Sequence, residues 1–165
     1  MNKLTSMDYR EIRPQDIPTL FEIRVATWHN KNGAEEMQKL GITSASVGAM
    51  LESNTHRGWI CDVDGKSVGF AMGNRETGEM WVIAVLPQHE GKGIGRGLLT
   101  LVENWLFGEG WEEIWLTTDV DESLRAVGFY RNLGWEDWKF EDGDRFMRKR
   151  ACATSQHAPI SNRRL

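Results

Sequence analysis

The sequence has little cysteine, no long apolar run and no excess of positive charge. Its two cysteines, Cys61 and Cys152, lack the spacing of a disulfide framework or a metal site, so we expect free thiols and no metal. No apolar run reaches the roughly 18 residues of a membrane span, and the first residues lack a signal peptide's apolar core. A net charge of −4 argues against nucleic-acid binding. We therefore expect a cytoplasmic protein that binds neither membrane nor nucleic acid.

The composition that is present is that of one globular domain. At 165 residues, with 40% hydrophobic and 27% charged residues, the chain is long enough to bury a core without disulfides. No linker or repeat divides residues 1–150, which we interpret as a single domain. Residues 151–165 have no hydrophobic period, and we expect them to form a disordered tail.

Hydrophobic spacing and turn residues predict a mixed α/β fold. The predicted strands cover residues 9–13, 59–63, 67–72, 80–85, 114–118, 135–140 and 145–148, and the predicted helices 14–29, 34–40, 44–51, 94–108 and 124–133. Asp-Gly pairs at residues 64–65 and 142–143 predict tight hairpin turns. This order favours one sheet with helices on both faces and an antiparallel edge formed by the last strands.

Two of these elements carry detailed expectations. The helix over residues 14–29 is expected to bury one face, formed by Ile17, Leu20, Phe21, Val25 and Trp28. The strand over residues 80–85 is apolar almost throughout, so we expect it to lie centrally and to be buried on both faces.

The most specific local pattern is a run of glycines between the predicted strand over residues 80–85 and the predicted helix over residues 94–108. Glycines at positions 91, 93, 95 and 97 allow a tight turn, and the start of the following helix offers free N–H groups and a positive dipole end. Lys92 and Arg96 add positive charge. The pattern predicts a phosphate site. It is neither a P-loop, which needs GxxxxGK[ST], nor a dinucleotide fingerprint, whose third glycine position is occupied by Leu98.

Two segments of the chain resemble the GCN5-related N-acetyltransferase (GNAT) family. Residues 85–95, VLPQHEGKGIG, are similar to the family's Val-x-Pro followed by [Gln/Arg]-x-x-Gly-x-[Gly/Ala], and residues 126–135, AVGFYRNLGW, are similar to its Ala-x-x-Phe-Tyr-x-x-x-Gly-Phe. The chain departs from the pattern in two places. Glu90 stands where Gln or Arg is usual, and Ser123 stands where the family often has Asn.

The resemblance implies the GNAT fold and acetyl-CoA as co-substrate. That fold is a central, mostly antiparallel sheet with splayed middle strands and helices on both faces. The main-chain amides of the glycine loop would hold the CoA pyrophosphate, and the strand ending at Val85 would pair with the pantetheine arm. By this resemblance the co-substrate-binding residues are Ile83, Ala84, Val85, Gly91, Lys92, Gly93, Ile94, Gly95, Arg96 and Ser123.

The resemblance also implies catalytic roles. The Val85 N–H would stabilise the oxyanion, and Tyr130 would protonate the departing thiolate. Glu79, six residues before Val85, matches the catalytic glutamate of the GCN5-type histone acetyltransferases and would act as the general base. His29 and His56 remain rival bases. His89 is expected to be solvated.

The implied reaction is acetyl transfer to a primary amine by direct attack in a ternary complex. The acceptor, a small molecule or a peptide, stays open, with Trp28, Trp81 and Trp138 as candidate walls of its pocket. A homodimer is compatible with the resemblance, because the family often forms dimers. Two alternatives are a non-catalytic acyl-CoA-binding regulatory module and transfer to oxygen or of a longer acyl group.

Overall fold

The computed structural model describes residues 4–27 and 33–152, which fall into two compact units that meet in sequence at Leu106 and Phe107. The first unit contains strands β1 Met7–Glu11, β2 His56–Val63, β3 Lys66–Asn74 and β4 Glu79–Val85, and helices α1 Ile17–Thr27, α2 Gly33–Lys39 and α3 Ser44–Glu52. Helix α4 spans Ile94–Gly108. The second unit contains β5 Glu113–Asp119, α5 Arg125–Asn132, β6 Glu136–Glu141 and β7 Asp144–Arg150.

The strands of the first unit form an antiparallel sheet in the order β1-β2-β3-β4. The predicted hairpin at Asp64 and Gly65 is confirmed: both residues have positive φ, and they join β2 to β3. Two register shifts interrupt the ladders. One lies beside Cys61 in the β2–β3 pair, and in the β3–β4 pair Trp81 is an extra residue of β4. Each shift changes which side chains face each other further along the strands.

Helices cover both faces of this sheet, as predicted. On one face, Ile17 and Leu20 of α1 join a buried cluster with Phe70 and Met72 of β3. On the other face, α4 lies so close to β3 that a Cβ at Gly73 would come within 2.8 Å of the Val102 side chain. The glycine therefore allows the helix to approach the sheet, against which α4 packs the buried side chains of Leu98, Val102 and Leu106.

The predicted face of α1 was wrong in one position. Val25 is 45% exposed, whereas Ile23 is only 3% exposed and belongs to the core. The helix also begins at Ile17, after a short 3-10 turn over Pro14–Asp16. Because apolar residues surround most of this helix, its sequence defines no single face, and packing on the sheet selects Ile23 instead. Trp28 lies outside the described residues.

The prediction that β4 is buried on both faces was also wrong. Only Met80 and Ala84 are buried, and the other residues of the strand are half-buried. Trp81 and Val82 pack against the edge of the α1 cluster rather than inside it. An apolar sequence is thus compatible with a strand that keeps much of its length accessible.

The second unit is an antiparallel sheet in the order β5-β7-β6, with α5 packed on β5. The predicted hairpin at Asp142 and Gly143 is confirmed by their positive φ values. Arg145 is 2% exposed, and its guanidinium lies 2.8 Å from Asp137 Oδ1 and donates to the Val120 carbonyl at 2.8 Å. This buried cation ties the segment after β5 to the final hairpin.

Strand β7 ends at Arg150, and residues 153–165 of the predicted tail lie outside the described part of the chain. Within residues 4–27 and 33–152, no helix combines the length and the apolar character that crossing a bilayer requires.

Candidate functional site

The glycine loop after β4 has the backbone geometry of a tight turn into a helix. A 3-10 turn over Pro87–His89 follows the strand, and α4 begins at Ile94. Gly91 and Gly93 have φ values of 78° and 85°, in the left-handed region that residues with a Cβ rarely adopt. The loop exposes Lys92 and both glycines to solvent. Nothing lies within 4 Å of where a Cβ of Gly93 would stand, so the space beside it is open.

The start of α4 presents main-chain donors beside positive charge. The hydrogen bond from Gly97 N–H to Gly93 C=O, at 3.0 Å, closes the first turn, so the N–H groups of Ile94, Gly95 and Arg96 precede the helical ladder. The positive end of the helix dipole adds to the exposed side chain of Arg96. This arrangement suits a phosphate group and supports the predicted pyrophosphate site.

The four glycines do not share one role. A Cβ at Gly97 would clash with the hydroxyl and ring of Tyr9, so this glycine lets β1 pack against α4. Gly97 lies a full turn inside the helix, beyond the reach of a ligand at the helix start. That position in the sequence could have distinguished it from the glycines of the loop.

Glu90 and His89, two side chains of the loop, differ in their exposure to solvent. Glu90, the departure from the family pattern, is exposed, so its carboxylate can stay in water. The prediction that His89 is solvated was wrong: the residue is half-buried, and its Nδ1 is buried without a hydrogen-bond partner among the described residues. The 3-10 turn folds the ring inward, which the sequence does not indicate.

One edge of β4 offers N–H groups that point away from β3. Leu86 donates its N–H to Val68 C=O at 2.8 Å, towards β3. Because N–H groups alternate along a strand, those of Val85 and Ile83 point the opposite way, and that of Ala84 points to β3. The N–H groups of Ile83 and Val85 thus point in the direction that strand addition by an extended molecule would use.

Among the acids near this strand, Glu79 has the most strongly shifted pKa. It opens β4, is half-buried, and its burial raises its pKa to about 7. A carboxyl with that pKa can accept a proton near neutral pH. Six residues separate it from Val85, which places the two about 20 Å apart along the strand. Any proton that Glu79 takes from a group beside Val85 has to travel through water.

Of the two rival histidines, His29 lies outside the described residues and His56 lies near Glu79. His56 pairs with Asn74, and Asn74 pairs with Glu79. Cross-strand partners share a face of the sheet, so the three form what we name the acid–base row. The His56 ring also meets the Trp81 ring edge to face, with 5.1 Å between centroids. The sequence predicted His56 and Glu79, the two ends of the acid–base row, as candidate bases. It did not indicate Asn74, because the bulges that align the three residues have no sequence pattern.

The remaining predicted residues belong to the second unit. Tyr130 is 6% exposed on α5, and its ring lies 5.3 Å from that of Phe129 and 6.1 Å from that of Trp135. Ser123 is exposed, and its hydroxyl and N–H both donate to Asp121 Oδ1, at 2.6 and 2.9 Å. The Ser123 hydroxyl thus shapes its own turn. Trp138 is 43% exposed.

Across 4–27 and 33–152, no three His, Cys, Asp or Glu side chains form a group suited to holding an ion.

Comparison with known proteins identifies the family. The sequence model of the "Acetyltransferase (GNAT) family" matches residues 17–135, more than two thirds of the chain. Among curated proteins, a mycothiol acetyltransferase of Kocuria rhizophila is 39% identical over 61 residues, covering 37% of this chain and 20% of that protein. One from Pseudarthrobacter chlorophenolicus is 28% identical over 120 residues, covering 66% and 37%. The chain thus spans only about a fifth to two fifths of the curated relatives it matches.

Solved structures share the fold. PaiA N-acetyltransferase from Thermoplasma acidophilum, in complex with coenzyme A, matches with a TM-score of 0.78 at 19% identity, covering 88% of this chain and 99% of that one. The ribosomal-protein-S18-alanine N-acetyltransferase of Escherichia coli matches with a TM-score of 0.69 at 18% identity, covering 88% and 94%. These likenesses confirm the predicted fold class. The relatives' names favour an enzyme over a non-catalytic binding module.

Proposed function

The chain belongs to the GNAT family of acetyltransferases, and we propose that it transfers the acetyl group of acetyl-CoA to a primary amine. The amine would attack the thioester directly while both substrates are bound. The observation that carries this proposal is Glu79, a half-buried carboxyl whose burial raises its pKa to about 7, on the strand that precedes the phosphate-binding loop. A carboxyl with that pKa is ionised above about pH 7, so it can accept the proton that the amine loses during the reaction.

The glycine loop would hold the pyrophosphate of CoA. The six main-chain amides of residues 91–96 would donate to its oxygens, with Gly91 and Gly93 supplying the turn and Lys92 and Arg96 the counter-charge. The exposed position of the loop and the open space at Gly93 support this role. The similarity of the fold to that of an N-acetyltransferase in complex with coenzyme A is consistent with this role of the loop.

The outer edge of β4 would align the pantetheine arm. Its amide groups would pair with Ile83, Ala84 and Val85 as an added strand does, and the N–H of Val85 would donate to the thioester oxygen as negative charge develops there. The directions of the Ile83 and Val85 N–H groups, away from β3, support this assignment.

Tyr130 would protonate the departing thiolate of CoA. A phenol has an ordinary pKa of about 10, close enough to that of a thiol for the proton to pass at little cost. We expect Tyr130→Phe, which keeps the ring between Phe129 and Trp135, to lower kcat about 10²-fold and to change acetyl-CoA affinity less than twofold. Stopped-flow thiol release and calorimetry measure the two quantities. An unchanged kcat would remove Tyr130 from the reaction.

Ser123 would make a lesser contribution to CoA binding. Its hydroxyl is engaged by Asp121, so its contact with the co-substrate would require that hydrogen bond to open. The acceptor is proposed only as an amine, small or peptidic. The names of the structural neighbours include an N-acetyltransferase of a ribosomal protein, and the curated relatives are named for mycothiol.

The experiment that tests the proposal is thiol release from acetyl-CoA across a panel of small amines, polyamines and peptides, followed by mass spectrometry. Parallel reactions with alcohols and with butyryl-CoA separate transfer to oxygen and transfer of longer acyl groups. We expect at least one amine to gain an acetyl group, with a rate that rises as pH passes through about 7. Acetylation of alcohols alone would contradict the proposal, and so would binding of acetyl-CoA without thiol release from any acceptor.

A further inference from the structure

The acid–base row places two titratable side chains on one face of the first sheet. His56, Asn74 and Glu79 occupy directly opposed positions on β2, β3 and β4. Two strand spacings separate His56 from Glu79, or about 10 Å between their Cβ atoms. Imidazole and carboxyl side chains that extend over the intervening strand can be joined by one bridging water.

The His56 ring contacts the strand of Glu79 across β3. It meets the ring of Trp81, two residues after Glu79 on β4, with 5.1 Å between ring centroids. Its Nδ1 lies 2.8 Å from the Thr55 hydroxyl, which leaves Nε2 for proton exchange. Asn74 accepts the Glu76 N–H at 2.9 Å, so its side chain holds the turn and serves as a spacer.

His56 also lines an open cleft of about 600 Å³. The end of β1, helix α3 and the start of β2 form its walls, and its charged residues are Glu11, Glu52 and Arg57. Glu11 is paired with Arg57 at 2.8 Å. Water in this cleft therefore meets the imidazole and the Glu52 carboxylate, which favours a transient positive charge on the ring.

Resting on the proposed function, we propose that His56 relays to this cleft the proton that Glu79 takes from the attacking amine. The ammonium group of the acceptor gives its proton through water to the Glu79 carboxylate, and the freed amine attacks the thioester. The Glu79 carboxyl then passes the proton through water to Nε2, and the imidazolium releases it to cleft water. Both side chains return to their starting forms, so the two act in series rather than as rivals.

The charges around the pair agree with this order. Burial lowers the pKa of His56, with the nearby carboxylate of Glu76 opposing it, while burial raises the pKa of Glu79 to about 7. The charge that acts on His56 is that of Glu76 after β3; Glu79 shares its row, and Glu11 on β1, Glu52 on α3 and Arg57 on β2 line the same cleft. The proton affinities of imidazole and carboxyl are thereby brought closer together, as transfer in both directions requires.

The first test measures the His56 pKa by NMR titration of the imidazole in the full chain, without any acceptor. We expect the chemical shifts of the imidazole to show a second step near pH 7, where Glu79 ionises, and this step should disappear in Glu79→Gln. Glu36→Gln, which removes an exposed carboxylate of α2, should leave it unchanged. An imidazole titration curve that is the same in wild type and Glu79→Gln would overturn the relay, whatever reaction the protein performs.

The second test is kinetic and uses an amine that the wild-type protein acetylates. We expect His56→Ala to lower kcat about tenfold below pH 7, less than the roughly 10²- to 10⁴-fold effect of a direct base, with acetyl-CoA affinity unchanged. Added imidazole, admitted through the cleft, should restore most of the rate. An undiminished kcat would overturn the relay, as would a loss that imidazole leaves uncorrected. If wild type acetylates no amine, the proposed function fails, and the NMR titration alone decides the coupling.

Discussion

The two ends of β4 present different kinds of chemical groups. Beyond its last residue, the glycine loop and the start of α4 offer main-chain N–H groups in an exposed turn. At its first residue, the acid–base row offers titratable side chains, half-buried and aligned by strand pairing. A site built from backbone needs particular φ values and so requires glycine at fixed positions. A site built from side chains across strands needs a register, which depends on the whole sheet.

This contrast separates affinity from chemistry. Substitutions in the loop should change how tightly CoA binds and leave the pH dependence of the rate as it was. Those in the acid–base row should change kcat and its pH dependence and leave CoA affinity intact.

The largest effect is expected at Glu79. Glu79→Gln removes the proposed base, so kcat/KM above pH 7 should fall about 10²-fold. In wild type the rate should rise with pH through about 7, because the carboxyl accepts a proton only when ionised. In the variant that rise should disappear. Glu36→Gln on α2 serves as the charge-matched control. If kcat/KM of Glu79→Gln still rose with pH through about 7, another group would be the base. The distinction between the two ends of β4 would then fail.

An effect of about tenfold is expected at Gly93, in affinity. Its φ of 85° costs a residue with a Cβ roughly 1–2 kcal/mol, so Gly93→Val should raise the acetyl-CoA Kd about tenfold. Gly108→Ala, at the open C-terminal end of α4, should bind as wild type does. Calorimetry gives both constants, and thermal unfolding checks that the variants fold. Equal affinity of Gly93→Val and wild type would argue against a phosphate at this turn.

The smallest effect is expected at Glu90. Its carboxylate is exposed near the proposed pyrophosphate, so Glu90→Gln should tighten acetyl-CoA binding about two- to threefold. The gain should shrink as salt is added, because exposed charges are screened. Weaker binding in the variant would show that Glu90 makes a favourable contact with the co-substrate.

The sequence predicted one end of β4 far better than the other. Gly91 and Gly93 mark the loop because few other residues adopt their φ values, and the apolar stripe of α4 predicts its buried face. The row could not be predicted in the same way. A hairpin without bulges about Asp64 and Gly65 would pair His56 with Gly73, and the shift beside Cys61 brings Asn74 opposite instead.

Other differences have the same origin in packing. Ile23 rather than Val25 lies in the core, because the apolar residues of α1 are distributed around most of the helix. The contact of Tyr9 with Gly97 joins elements that are far apart in sequence. Local pattern carries no information about either contact, since both are decided by how helices settle on the sheet.

The central claim is that main-chain donors at the start of α4 hold the diphosphate of CoA. A crystal structure of the full chain with acetyl-CoA tests it most directly. The account predicts phosphate oxygens within about 3.2 Å of the N–H groups of Gly93, Ile94 and Gly95. A diphosphate bound elsewhere, with these N–H groups turned to water, would contradict it.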